Sequence, residues 1–163
     1  MLDMEGFPLG HAEASANVNE KELVEPLLDE VLGEDFEVEL LAGDSQLESN
    51  RVFQMLEQRG IAHLIPWRRV KGRENPPDVL TVKDKISVEG PEHKRVIYGR
   101  LRARVEGFIS TLKNHLGYDN FTWKGLENAS IHTSLAICVI YAVAIAASKL
   151  NRPDLTGSVS YFA

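Results

Sequence analysis

Two acidic residues stand where the chain could hold a hard metal ion. Residues 36–42 alternate and then become continuously apolar, which predicts a strand entering a core, with Asp44 just past its C-terminal end. Open α/β sheets gather active groups at such strand ends. A carboxylate there offers the oxygen donors that Mg²⁺ takes. The commoner use of an aspartate in this position is to begin a turn or cap the next helix. Glu106 is the second candidate. It falls in a helix expected over residues 95–116, with Val105 and Phe108 beside it. Arg102 precedes it by one turn, and Ile109 and Lys113 follow by one and two, so all four share a face. An acid flanked by cations suits a metal ligand next to phosphate; an i,i+4 ion pair on a solvated helix is the more frequent arrangement. Arg100 and Arg104 add charge around the same helix.

A second constellation is basic. Trp67, Arg68, Arg69, Lys71 and Arg73 place four cations and an indole within seven residues. Such a segment can contact phosphates while the ring stacks on a base, or Trp67 can close the core after a strand. Other chemistries lack their residues. The five histidines (His11, His63, His93, His115 and His132) show no metal-ligand spacing. No glycine loop suited to phosphate and no nucleophile elbow is present. Cys138 lies in an apolar run and reads as packed.

The elements that must position these groups follow from periodicity. A strand is expected over 7–16, paired with a shorter one at 1–4, then a helix over 20–32 with Asn17 and Asn19 as candidate caps and Gly33 as its end. The strand at 36–42, a helix over 47–58 and a strand at 61–66 form an α/β signature. Residues 67–95, with Pro76, Pro77 and Pro91, read as an irregular excursion. The helix over 95–116, with its stripe of Leu101, Val105, Phe108, Leu112 and Leu116, ends at Gly117. A long apolar helix spans 126–150, and residues 151–163 form a flexible tail.

With 163 residues, 44% apolar and 26% charged, the chain suffices for one domain with a real core. One cysteine excludes an internal disulfide framework and, with no basic-then-apolar N-terminal run, points to the cytoplasm. The apolar run at 135–147 is shorter than the roughly 18 residues of a membrane span, so a buried core helix and no membrane are expected. The net charge of −6 is unevenly spread: −13 over residues 1–50, +7 over 51–113 and zero beyond. Because screening limits each charge to about 8–10 Å, a basic middle segment can bind phosphate in an acidic chain; an acidic helix facing a basic one is the plainer alternative.

Taken together, residues 102–113 resemble a known signature. Arg102, three residues, Glu106, six residues and Lys113 are similar to the Tyr-Arg-Glu-Lys motif of insertion-sequence DDE transposases. Leu112 to Gly117, then Gly125-Leu-Glu-Asn128, then His132 and the long apolar helix also resemble that family. So does Leu41-Ala-Gly-Asp44-Ser-Gln around its second aspartate, preceded by Gly6-Phe-Pro-Leu-Gly10, Ala16-Asn-Val-Asn19 and Glu25-Pro-Leu-Leu-Asp29. The likeness covers about residues 1–150, read as a partial DDE transposase catalytic domain. It implies a ribonuclease-H-like mixed sheet flanked by helices, N-terminally truncated. It implies three carboxylates holding two ions, Mg²⁺ or Mn²⁺, with metal-dependent DNA cleavage and strand transfer at insertion-sequence ends. Carried over, Asp44 and Glu106 are catalytic metal ligands, and Arg102, Lys113, Arg100, Arg104, Trp67, Arg68, Arg69 and Lys71 face DNA. The sequence departs from the pattern at Gly99, where the motif has its tyrosine (Tyr98 is one place off), and at Leu47, where a tyrosine is usual. The family's first aspartate has no counterpart, Asp3 falling where the family has a turn. The resemblance therefore implies a truncated copy, inactive alone. The alternative is a catalytically inactive DNA-binding or transposition-inhibiting fragment, joined to full-length transposase or to a homo-oligomer.

Overall fold

A computed structural model describes every residue except 35, 70, 71, 73–75, 84–86, 121, 123 and 163. The chain divides into two compact units, one of residues 16–102 and one of residues 1–15 with 103–163.

The unit of residues 16–102 is built from a β-α-β crossover. Helix α1 (Lys21–Gly33) buries Val24, Leu28 and Val31, the apolar positions its periodicity places on one face. Asn19 Oδ1 accepts from Lys21 N at 3.2 Å and so serves the start of α1. Strand β1 (Leu40–Ala42) pairs in parallel with β2 (Ala62–Leu64), in the register Leu41 to His63. Between them lies α2 (Asn50–Gln58), whose cap Ser49 accepts from Val52 N at 3.2 Å. Leu28, Val31, Val52 and Leu56 are almost wholly enclosed, each contributing about 1.5–3 kcal/mol by leaving water.

The excursion at 67–95 is more regular than its composition suggests. Strands β3 (Thr81–Val82) and β4 (Val88–Glu89) form an antiparallel pair. Trp67 bridges to Thr81, donating to Leu80 O at 2.7 Å and accepting from Val82 N at 2.9 Å. The expectation of a single mixed sheet is thus corrected: the described residues form two separate two-stranded sheets. Pro66, between β2 and the Trp67 bridge, has no N–H to offer a ladder. Gly90 closes the hairpin at φ 140°, and a Cβ there would lie 2.6 Å from Val79 O, so only glycine fits. Leu64, Leu80 and Tyr98 form the core beside the hairpin, with Ala42 and Val88 against them.

Helix α3 (Glu92–His115) begins three residues before the expected start and stops just before Gly117, φ 74°. In the unit of residues 1–15 and 103–163, the C-terminal part of α3 packs on α4 (Leu126–Lys149). Leu112, Ala136 and Ile140 form the core there, with Phe7, Phe108, Leu116 and Tyr118 around it. The strand expected over 7–16 is reduced to one bridge between Leu2 and Pro8, across a turn in which Asp3 Oδ1 accepts from Glu5 N and Phe7 N. Asp3 thus holds this turn. Beyond α4, a 3-10 turn (Pro153–Leu155) and α5 (Val159–Phe162) bury Leu155 and Val159.

Helix α4 differs from the expected core helix. It is long and apolar enough to cross a membrane by length and composition, yet only 22% of its most apolar window is buried. One face (Thr133, Ala136, Ile140, Val143 and Ala147) is enclosed, while Leu135 and Ile145 remain 59% and 56% exposed. Cys138, expected to be packed, is exposed on the open side.

Candidate nucleic-acid interface and acidic positions

Asp44 sits two residues past the end of β1, as its position after an apolar strand predicts. Its backbone is extended (φ −78°, ψ 168°), and it caps the 3-10 turn Ser45–Leu47, Oδ1 accepting from Gln46 N. The capping use and the strand-end position therefore coincide in one exposed side chain. Gly43 precedes it against Leu47 and Ile65, a Cβ there meeting Leu47 Cδ1 at 2.6 Å.

The structure brings one predicted basic residue to this turn. Arg68 Nε donates to Ser45 O at 2.9 Å, and Arg68 N donates to Glu48 Oε2 at 2.8 Å. Lys21 Nζ donates to Glu48 O at 2.7 Å, tying α1 to the same turn. Ser45 and Glu48 thus anchor Arg68 beside Asp44, a role carrying no sequence signal because the contacts span 20 residues or more.

The other members of the basic segment are engaged elsewhere. Arg69 pairs with Glu89 on β4, as does Lys83 Nζ at 3.3 Å. Trp67 is half-buried, its ring stacked on Phe53 at 6.1 Å, and Phe53 stacks on His63 at 4.4 Å. The indole thereby closes the aromatic column of this unit. Lys71 lies outside the described residues. A cavity of about 400 Å³ opens beside this column, lined among others by His63, Trp67, Leu80, Asp78 and Lys94. Burial lowers the His63 pKa from its ordinary value; Glu57 opposes that shift and Lys94 adds to it. Arg51 and Arg59, on α2 or just beyond it, face Glu25 and Asp29 of α1. The hydrogen bond to Asp29 is the main reason that the Arg59 pKa is raised. Two cations of the basic block are thus paired with acids of α1.

Glu106 is exposed on α3 and belongs to the unit of residues 1–15 and 103–163. Continuous helix from 92 to 115 puts Arg102, Glu106, Ile109 and Lys113 on one face, as expected. Arg100 and Lys113 are exposed, Arg102 is partly covered, and Arg104 reaches Glu5 at 3.9 Å. Among the described residues no group of three His, Cys, Asp or Glu side chains could hold a metal ion.

Residues 1–142 match the family model described as a transposase DDE domain. No curated protein and no solved structure matches the chain.

Proposed function

The chain belongs to the transposase DDE domain family, and from that membership we propose that it serves DNA transposition by strand cleavage and transfer at insertion-sequence ends. The match over residues 1–142 carries this reading. The placement of Asp44 past a parallel strand and of Glu106 between cations on α3 supports it. Asp44 and Glu106 are the two carboxylates proposed as ligands for Mg²⁺ or Mn²⁺, the ions that hard oxygen donors select. Arg102 and Lys113, one and two turns from Glu106, hold DNA phosphates beside it, and Arg100 and Arg104, on the other side of the helix, offer further contacts. Arg68, anchored at the Asp44 turn, does the same there. Trp67, Arg69 and Lys71 belong to the proposed DNA face less directly, since Trp67 packs inward and Arg69 pairs with Glu89. A ribonuclease-H-like core is the proposed parent of the β-α-β unit.

A second reading has its own observation. Because the described residues hold no three-member metal cluster, the chain binds DNA without cutting it and acts by joining a transposase assembly. One experiment separates the two: labelled duplex DNA carrying an element end is incubated with the chain and Mg²⁺ or Mn²⁺. Nicking that Asp44→Asn and Glu106→Gln abolish supports the catalytic reading. Salt-dependent binding with no nicking supports the second. Nicking that survives both substitutions removes Asp44 and Glu106 from the site, and absence of binding at low salt removes the DNA role altogether.

A further inference from the structure

The open side of α4 carries a pattern complementary to itself. Glu127, Ile131, Leu135, Cys138, Ala142, Ile145 and Lys149 recur at steps of four, four, three, four, three and four, and all seven are exposed. The average step is about 3.7 residues, close to one helical turn, so the stripe runs nearly straight along the helix for about 33 Å. Its five inner members are uncharged, an acid stands at its N-terminal end and a base at its C-terminal end. The opposite face of α4 is already committed, through Ala136 and Ile140, to Leu112 and Phe7.

The geometry points to a second copy of this chain as the occupant, with its α4 antiparallel across a two-fold axis at Cys138. Reversing the helix about that residue sets Glu127 against the partner's Lys149, Ile131 against the partner's Ile145, and Leu135 near the partner's Ala142. Cys138 meets its own mate. Both ends gain an opposite-charge pair and the centre is apolar, the self-complementarity that an isologous contact requires. A parallel pairing would set acid against acid and base against base. Against a lipid, the stripe would bring a charge at each end and a helix whose other face is occupied by protein. A strip about 33 Å by 10 Å is on the order of 300 Å² per chain, about 600 Å² in all, which is less than the roughly 1,200 Å² of a stable interface, so the dimer is weak and transient.

Helices packed 8–10 Å apart bring facing Cα atoms on the order of 5 Å from each other, within disulfide range. The only cysteine of the chain is therefore a built-in reporter. Full chain at about 10–200 µM is followed by sedimentation, and by mild oxidation with non-reducing electrophoresis. A concentration-dependent dimer, linked through Cys138 and lost with Cys138→Ser, is expected. Leu135→Asp, at a site 59% exposed, should weaken self-association at least tenfold with an unchanged circular dichroism spectrum. Direction is read in the Cys138→Ser background. A mixture of Ile131→Cys and Ile145→Cys chains should cross-link, while neither variant links to itself. Self-linking of Ile131→Cys would overturn the antiparallel arrangement. A chain that stays monomeric throughout this range, or that binds phosphatidylcholine vesicles in place of itself, would overturn the proposal.

Discussion

Asp44 joins two roles in one carboxylate, and substitutions can separate them. Its Oδ1 accepts from Gln46 N to cap the following turn, so Asp44→Asn keeps an acceptor while removing the charge, and Asp44→Ala removes both. The alanine variant should unfold more easily than the asparagine variant by about 1 kcal/mol in urea titrations, with DNA nicking, where present, lost in both. Equal stability of the two would show that the cap contributes nothing. Gly90 is constrained more tightly. Its φ is 140°, and Val79 O stands 2.6 Å from where a β-carbon would sit, so Gly90→Ala should cost about 1–3 kcal/mol. An unchanged denaturation midpoint would mean that the hairpin can shift at no cost. His63 gives the fold a dependence on pH. Its pKa is lowered in the folded chain, chiefly by burial. The folded state therefore holds fewer protons than the unfolded one as pH falls through about 6.5, and stability declines in that direction. The His63 contribution is complete above that value and is lost toward more acid pH. His63→Phe, which keeps a ring to stack on Phe53, should flatten the stability profile between about pH 5 and 7; a parallel profile would place the titration elsewhere.

At the scale of elements, the helices were the most legible part of the chain. α1, α2 and α4 lie within three residues of where their apolar periodicity puts them, because burial of one face repeats every turn. Ser49, in the β region before Val52, is the local signal that starts α2. Ser49→Ala should lower stability by about 1 kcal/mol, and a loss smaller than a few tenths would mean that water replaces the hydroxyl. Strands were less legible, since pairing partners rather than the segment itself decide their length. The apolar residues at 7–16 yield only one bridge, and the pair β3–β4 arises in a stretch whose prolines and charges mask it. α4 shows a further limit. A helix apolar on all sides does not announce which side is covered, so its exposed Leu135 and Cys138 were not foreseeable from composition. Within the candidate site, the strand-end place of Asp44 and the shared face of Arg102, Glu106 and Lys113 were readable locally. The Arg68 tether to Ser45 was not, because it joins residues 23 apart in sequence.

For the whole molecule, the distribution of charge along the sequence overstates what is available to DNA. The −13 and +7 blocks meet in space where Arg51 and Arg59 face Glu25 and Asp29, and within the basic block itself Arg69 and Lys83 face Glu89. By unit, residues 16–102 carry 17 acidic and 13 basic side chains, and the other unit carries 7 and 5, so both are net acidic. Non-specific attraction is accordingly weak, and binding must come from a local group of cations within a Debye length of one another. α3 supplies that group in Arg100, Arg102 and Arg104, which lie within about 6 Å of one another along the axis, and Lys113 adds a separate contact about 14 Å farther along the helix. If about three of them each neutralise a phosphate, the logarithm of the affinity should fall with the logarithm of salt at a slope near −3. Arg100→Glu with Lys113→Glu should reduce that slope by about 2 and weaken binding on all duplex sequences alike. Charge reversal at Arg51 and Arg69, whose partners lie within the chain, should leave the slope nearly unchanged. Fluorescence anisotropy of a labelled duplex between about 20 and 200 mM salt distinguishes the two surfaces. A slope that follows Arg51 and Arg69 instead would move the DNA face from α3 to α2 and the segment after β2, and Glu106 would lose the phosphate neighbours that make it a candidate ligand.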